Sequence, residues 1–137
     1  EHSHGTQYFI TFRYGTTQIG NILGNGSATS YNTSSDYRLK ENVVDMTGAI
    51  DRVKQLSPKR FNFKADASTT VDGFLAHEAQ TVIPESVTGE KDAVDDSGEI
   101  DPQGIDQSKL VPLLTGALKE AIAKIEALET RVATLEG

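Results

Sequence analysis

No cysteine occurs in the chain, which excludes disulfides, thiolate catalysis and cysteine-based zinc sites. No apolar run approaches the about eighteen residues of a membrane span, so no membrane insertion is expected. The first residues lack the basic-plus-apolar texture of a signal segment, and no targeting step is visible. Basic charge is scarce: 13 Lys and Arg against 20 Asp and Glu leave −7, a balance that does not favour nucleic acid or an anionic membrane. Apolar residues are also few. At 36% of 137 residues, beside 24% charged, they are lean for a self-contained globule. Length admits one domain, or one small domain with an appendage.

The charge is unevenly placed. In residues 1–35 Glu1 and Arg13 cancel, and the whole of the −7 lies from Asp36 onward, where nineteen acids oppose twelve bases. Composition changes at the same place: twelve of the sixteen residues from Gly20 to Ser35 are Gly, Asn, Ser or Thr. The chain therefore reads as two pieces joined near residues 34–36.

In the neutral piece, Tyr8, Ile10, Phe12 and Tyr14 alternate with Phe9, Thr11 and Arg13, the period of a strand. Gly15 allows a turn, Gln18 to Ile22 reads as a second extended stretch, and Gly24-Asn25-Gly26 is turn chemistry. So polar a segment cannot offset its ordering entropy alone. It is either disordered or ordered by identical neighbours wrapped around a shared axis, and fibrous β-stalks have this texture. His2 and His4, two apart, could offer six imidazoles to one metal ion in a threefold assembly; the simpler and favoured reading is a frayed terminus with two solvated histidines.

The acidic piece reads as a small α+β unit. Ile50, Val53 and Leu56 mark a short amphipathic helix over Thr47–Leu56, with Thr47 or Asp45 as its cap and Pro58 beyond its end. Arg60–Lys64 and Val71–Ala76 read as strands around a polar turn at Ala65–Thr70. His77–Val82 gives a helical turn or two before Pro84, and Val87, Val94 and Ile100 fall in short extended pieces around Asp95-Asp96-Ser97-Gly98. A long helix follows, capped by Ser108 and running to about Glu136, with Pro112 in its first turn. Val111, Leu118, Ile125 and Val132 occupy heptad position a, and Leu114, Ala121, Leu128 and Leu135 position d. Lys124 and Arg131 fall at g, each five residues before Glu129 and Glu136 at e, the spacing of interchain ion pairs in a parallel coiled coil. An intramolecular helix needs no such matched flanks, so the pattern favours self-association. Branched residues at a with Leu at d lean toward two strands, so the heptads alone do not specify three.

At the junction, Ser35 precedes Asp36 and lies five residues before Lys40. A serine is a poor nucleophile until a base takes its proton. A lysine can serve only if burial or cationic neighbours lower its pKa from about 10.4 toward neutrality. Ser–Lys pairs of this kind vary the catalytic triad, although the spacing by itself also fits a solvated loop.

Ser35-Asp36-Tyr37-Arg38-Leu39-Lys40-Glu41-Asn42-Val43 resembles the self-cleaving C-terminal intramolecular chaperone of phage endosialidases, tail spikes and tail fibres, a domain also embedded in myelin regulatory factor. The resemblance continues through Gly73–Gln80, Val82–Glu85 and Val87–Gly89, and ends in Ile105–Leu114 and the terminal heptads. It implies a homotrimeric folding clamp that holds three chains in register while their own β-stalk winds, then cuts itself off. The implied domains are a stalk end at 1–35, of triple β-helix form, and a chaperone at 36–137, divided into an α+β body (36–107) and a coiled-coil helix (108–136). Its setting would be a virion tail fibre or spike precursor assembled in the host cytoplasm, the chaperone being released on maturation. By position Ser35 would be the nucleophile and Lys40 its base, with the scissile bond at Ser35–Asp36. Attack by Ser35 on its own carbonyl closes a four-membered ring, whereas attack on the Ser34 carbonyl closes a five-membered one. A bond at 34–35 therefore stays open, as does help from Asp36 or from a neighbouring chain.

Glu41 and Asn42 are candidates to orient Lys40 or supply an oxyanion hole, against an equal reading as loop residues. His77 reads as structural. Asp92, Asp95, Asp96, Glu99 and Asp101 lack EF-hand spacing, and neither metal nor cofactor is expected. Two other function classes compete with the self-cleaving chaperone. One is a trimerisation domain that never cuts; the other is a receptor-binding tip, which would call for more exposed aromatics than five Phe and four Tyr held mostly in strand patterns.

Overall fold

The computed structural model describes residues 6–137, which fall into two compact units divided between Val44 and Asp45. His2 and His4 lie outside the described residues. The architecture is α+β, with a long C-terminal helix.

In the first unit, strands β1 (Gln7–Tyr14), β2 (Thr17–Gly24) and β3 (Thr29–Thr33) form an antiparallel sheet in sequential order. The alternation in β1 is broken by register shifts between Tyr8 and Ile10 and between Phe12 and Arg13. Asn25 builds the second turn, its side-chain oxygen accepting from the N–H groups of Ser27 (3.1 Å) and Ala28 (2.9 Å). Strand β3 was hidden by its polar composition; it is fixed by pairing with β2, where Asn32 donates to the Asn21 side chain at 2.9 Å. The segment thus pairs its own strands within one chain. The order comes with little burial. Among the described residues of this unit only Gly20 and Gly24 are buried, while Phe9 (61% exposed) and Tyr31 (77%) lie open.

The second unit is built around helix α1 (Ala49–Val53) and the first third of helix α3 (Leu110–Glu136). Ala49, Val82, Ile83, Leu110 and Leu113 form the core, with Val53, Leu56, Phe74 and Ala117 packed against it. Around it lie the hairpin β4 (Lys59–Phe63) and β5 (Asp66–Gly73), helix α2 (Ala76–Gln80), and the short pair β6 (Val87–Thr88) and β7 (Gly104–Ile105). Gly116 lets the two helices close up, since a Cβ there would meet the Ala49 methyl at 3.0 Å.

Four local expectations are corrected. Neither Thr47 nor Asp45 caps α1: its N-cap is Gly48, with φ of 69°, and the Glu120 carboxylate of α3 accepts from the N–H groups of Ala49 (2.8 Å) and Ile50 (2.9 Å). A side chain from across the core supplies what a local cap otherwise would. Strand β5 begins at Asp66, because Asn62 reaches the Ala67 carbonyl and the Thr70 hydroxyl (both 3.1 Å) and draws the expected turn into the ladder. It ends at Gly73, and Leu75 becomes the N-cap of α2. Ser108 does not cap the long helix, whose N-cap is Lys109 without a side-chain cap bond; Asp106 caps the 3-10 turn Gln107–Lys109 that leads into it, its carboxylate accepting from the Ser108 N–H at 3.0 Å.

Helix α3 carries two apolar stripes. Leu110 and Leu113 face the core, whereas Val111, Leu114, Leu118, Ile125, Leu128, Val132 and Leu135 are exposed. Two outcomes follow for the second unit. Leu113→Ala should cost about 2–5 kcal/mol in urea denaturation, because Leu113 is 1% exposed and the cavity has no way to fill. Glu120→Ala should lower the unfolding midpoint at pH 7. The Glu120 carboxyl is held below the ordinary glutamate range by the N–H groups of Ile50 and Ala49. A depressed folded pKa gives stability that is present above the unfolded value, about 4.3, and lost as pH falls through the folded one. The difference between wild type and variant should therefore shrink below about pH 4.3.

Candidate active site

The residues after β3 are held from two sides. Upstream, the Ser34 N–H donates to the Ile19 carbonyl (3.0 Å) and its hydroxyl to the Gln18 carbonyl (3.1 Å), tying the chain to β2. Downstream, Tyr37–Leu39 form a 3-10 turn with Asp36 as N-cap. The Asp36 carboxylate accepts from the Arg38 N–H at 2.9 Å, and the Lys40 N–H closes the turn on the Tyr37 carbonyl at 3.1 Å. Ser35 sits between these two anchors.

The turn brings Lys40 back over Ser35, and its Nζ donates to Ser35 Oγ at 2.8 Å. Both groups are exposed in the single chain. As drawn, the ammonium donates; a neutral amine in the same place would accept the hydroxyl proton, which is the direction nucleophilic attack requires. Asp36 does not join this contact. It is engaged by Arg38, whose Nε lies 3.0 Å from Oδ1 and whose terminal nitrogen lies 2.6 Å from Oδ2. The Arg38 side chain first, and its backbone N–H second, hold the Asp36 carboxyl below the usual aspartate range. Of the two supporting candidates, Asn42 takes a left-handed backbone (φ 53°). No side-chain hydrogen bond joins Glu41 or Asn42 to Lys40 among the described residues.

The other polar candidates lie elsewhere. His77 is in α2, and its charge lowers the Asp92 carboxyl only as the smallest contribution after that of Lys91. Asp95 is a turn former, accepting from the N–H groups of Ser97 (2.8 Å) and Glu99 (3.1 Å). No three of the described His, Asp or Glu side chains converge as a metal site. An open groove of about 760 Å³ runs along α3 beside Met46, Val111, Thr115 and Gly116. Neither Ser35 nor Lys40 lines it.

Two roles that sequence reasoning passed over matter here, that of Ser34 as an anchor to β2 and that of Arg38 as the partner of Asp36. The cue for Arg38 was present as an acid two residues before an arginine at a helix start, where the carboxylate meets backbone N–H and guanidinium together. Ser34 gave no cue, because its partners lie in β2.

Residues 35–88 match the family model Peptidase_S74, described as chaperone of endosialidase. The match begins at Ser35 and takes in Lys40, the hairpin and α2. Asp36 should titrate below the ordinary carboxylate range in NMR, and Arg38→Ala should return it upward. Any support that the pair lends the turn is present above the unfolded aspartate value, about 3.9, and lost as pH falls through the lower folded one.

Proposed function

Because residues 35–88 belong to the chaperone-of-endosialidase family, we propose that this chain trimerises and registers a phage tail β-stalk, then releases itself by one peptide-bond cleavage. The observation that carries the chemical half is the 2.8 Å contact between Lys40 Nζ and Ser35 Oγ inside the matched segment. The functional boundary proposed at Ser35–Asp36 lies within the first compact unit.

The chemistry runs as follows. Neutral Lys40 takes the Ser35 hydroxyl proton as Oγ attacks a backbone carbonyl. The C–N bond breaks, the leaving amine receives that proton from the Lys40 ammonium, and an ester remains on Oγ. Water then hydrolyses the ester to a free carboxylate and restores the hydroxyl. Within one chain, attack on the Ser34 carbonyl passes through a five-membered ring and ends in a cut at 34–35. Between chains, Ser35 of one copy reaches the Ser35–Asp36 bond of another without any strained ring. Position within the family motif favours the second bond.

Assembly supplies a condition that a single chain lacks. A lysine with the ordinary pKa of about 10.4 is neutral roughly once in 2,500 at pH 7. A lysine base therefore has to be withdrawn from water or placed near other cations. Neighbouring copies covering the exposed Ser35 and Lys40 would do so, which makes cleavage follow assembly. The unpaired stripe of α3 favours such assembly. Leu118 is 62% exposed and Leu128 55%, and helix without a tertiary partner is marginal in water. Glu129, Lys124, Arg131 and Glu136 form no intrachain ion pair among the described residues, which leaves them free for the g–e′ contacts of a parallel bundle.

Light scattering should give three copies per particle, and Leu128→Asp, which places a charge in a d layer, should dissociate them. A monomer at micromolar concentration would remove the folding-clamp reading. Mass spectrometry of the incubated chain should find an acidic piece of about 100 residues by the position argument; its N-terminus at Ser35 or Asp36 identifies the bond. Ser35→Ala and Lys40→Ala should stay whole and still assemble. Lys40→Arg should stay whole as well, a guanidinium being no base near neutrality. A wild-type chain that assembles but never cuts would leave only a structural trimerisation domain.

A further inference from the structure

A lysine base has a specific enemy, a neighbouring carboxylate. An acid beside the amine stabilises its protonated form and removes the lone pair that must accept the serine proton. This chain places an acid directly after the nucleophile and four residues before the base. Asp36 nevertheless makes no contact with Lys40. Both of its oxygens are taken up by the Arg38 guanidinium, at 3.0, 3.2 and 2.6 Å, and one of them also accepts the Arg38 N–H. Lys40 is left to Ser35 Oγ.

We infer that Arg38 is a positioning residue that sequesters the Asp36 carboxylate, so that Lys40 pairs with the Ser35 hydroxyl instead of with the adjacent acid. This rests on the Ser35/Lys40 reading of the site and extends it to a residue that touches neither group. The planar fork of arginine suits the task, because it binds both carboxylate oxygens at once. The Asp36–Arg38 pair is then neutral as a unit while Asp36 keeps its second role as N-cap of the turn that carries Lys40.

The charges around Lys40 are few enough for the effect to be read cleanly. In residues 6–44 they are Arg13, Asp36, Arg38, Lys40 and Glu41. Arg13, on the sheet, donates to the Thr16 carbonyl at 2.8 Å. Glu41 is exposed and common to every variant below. The substitutions therefore change one local charge at a time: Arg38→Ala leaves an unpaired carboxylate, Asp36→Asn an unpaired guanidinium, and the double variant neither. Asparagine also caps helix starts well, so Asp36→Asn keeps the turn.

The test is the pH dependence of self-cleavage by the assembled full chain, together with the 13C NMR titration of the Lys40 side chain in an uncleavable Ser35→Ala background. Arg38→Ala should move both midpoints up by about one pH unit, a roughly tenfold loss of rate below the midpoint. Asp36→Asn should move them down, and Asp36→Asn with Arg38→Ala should bring them back to the wild-type position. That reversal separates charge from packing, since a merely structural clamp would lower the plateau rate of each variant, most in the double, and leave the midpoint fixed. Coincident midpoints in all four chains overturn the sequestration. Cleavage by Lys40→Ala at the wild-type rate overturns the underlying dyad instead, and the NMR ordering is read without any cleavage at all.

Discussion

A single helix cannot bury all of its surface in so small a body, and α3 has two apolar stripes to satisfy. The inner one, Leu110, Leu113 and Ala117, closes the core against Ala49, and Glu120 at the end of this stripe reaches across to hold the start of α1. The outer one begins at Val111 and continues past the last residues that touch the body, through Leu128 and Leu135. These demands lie on different faces of one cylinder, so folding of the chain satisfies the first without answering the second. The same division recurs in the first unit, where the three strands pair with one another between Gln7 and Thr33 while Phe9, Phe12 and Tyr31 stay uncovered. Each unit thus leaves apolar side chains exposed in the single chain, area that the proposed assembly would cover.

That division bears on the order of events. The geometry that joins Ser35 to Lys40 is local: a strand end tied to β2, a three-residue turn, and a side chain folded back over five residues. It needs no residue from another chain. The environment a lysine base requires is not local, since nothing in the exposed loop removes water from it. On the proposed function, geometry from the single chain and desolvation from the assembly would make a sequential device, with the pair idle until neighbours close over it.

The legible parts of the sequence were those governed by periodicity and punctuation. Strand alternation placed β1 and β4, the Gly24-Asn25-Gly26 run marked a turn, and the heptads traced the outer stripe of α3. The inner stripe escaped, because Leu110 and Leu113 fall at g and c positions that a heptad reading assigns to solvent. Glu120 escaped for a related reason: it looks like one more surface acid, and only the fold reveals two backbone N–H groups about seventy residues away in sequence. Strand β3 is legible only through its partner, since Ser30, Asn32 and their neighbours carry no apolar alternation. At the junction, motif and spacing singled out Ser35 and Lys40, but the roles of Ser34 and Arg38 depend on where carbonyls and a carboxylate come to rest.

The place of the proposed cut also fits a stalk that must survive it. The last ladder pair of β3 is Thr33 with Gly20, and Ser34 adds its own bonds to Ile19 and Gln18. A break at 34–35 or at 35–36 comes after all of them and severs no hydrogen bond of the sheet. What it would remove is the covalent link to the body that, on the proposed function, brings three chains together at high local concentration. While attached, that body would favour ordering of the strands by lowering the entropic cost of bringing their ends together. Once released, it no longer favours their return, because stalks that unwind have nothing to realign them. Such a fibre persists because unfolding is slow, whatever its equilibrium stability. A cut beyond the last ladder bond would allow the proposed clamp to leave without loosening the structure it helped to form.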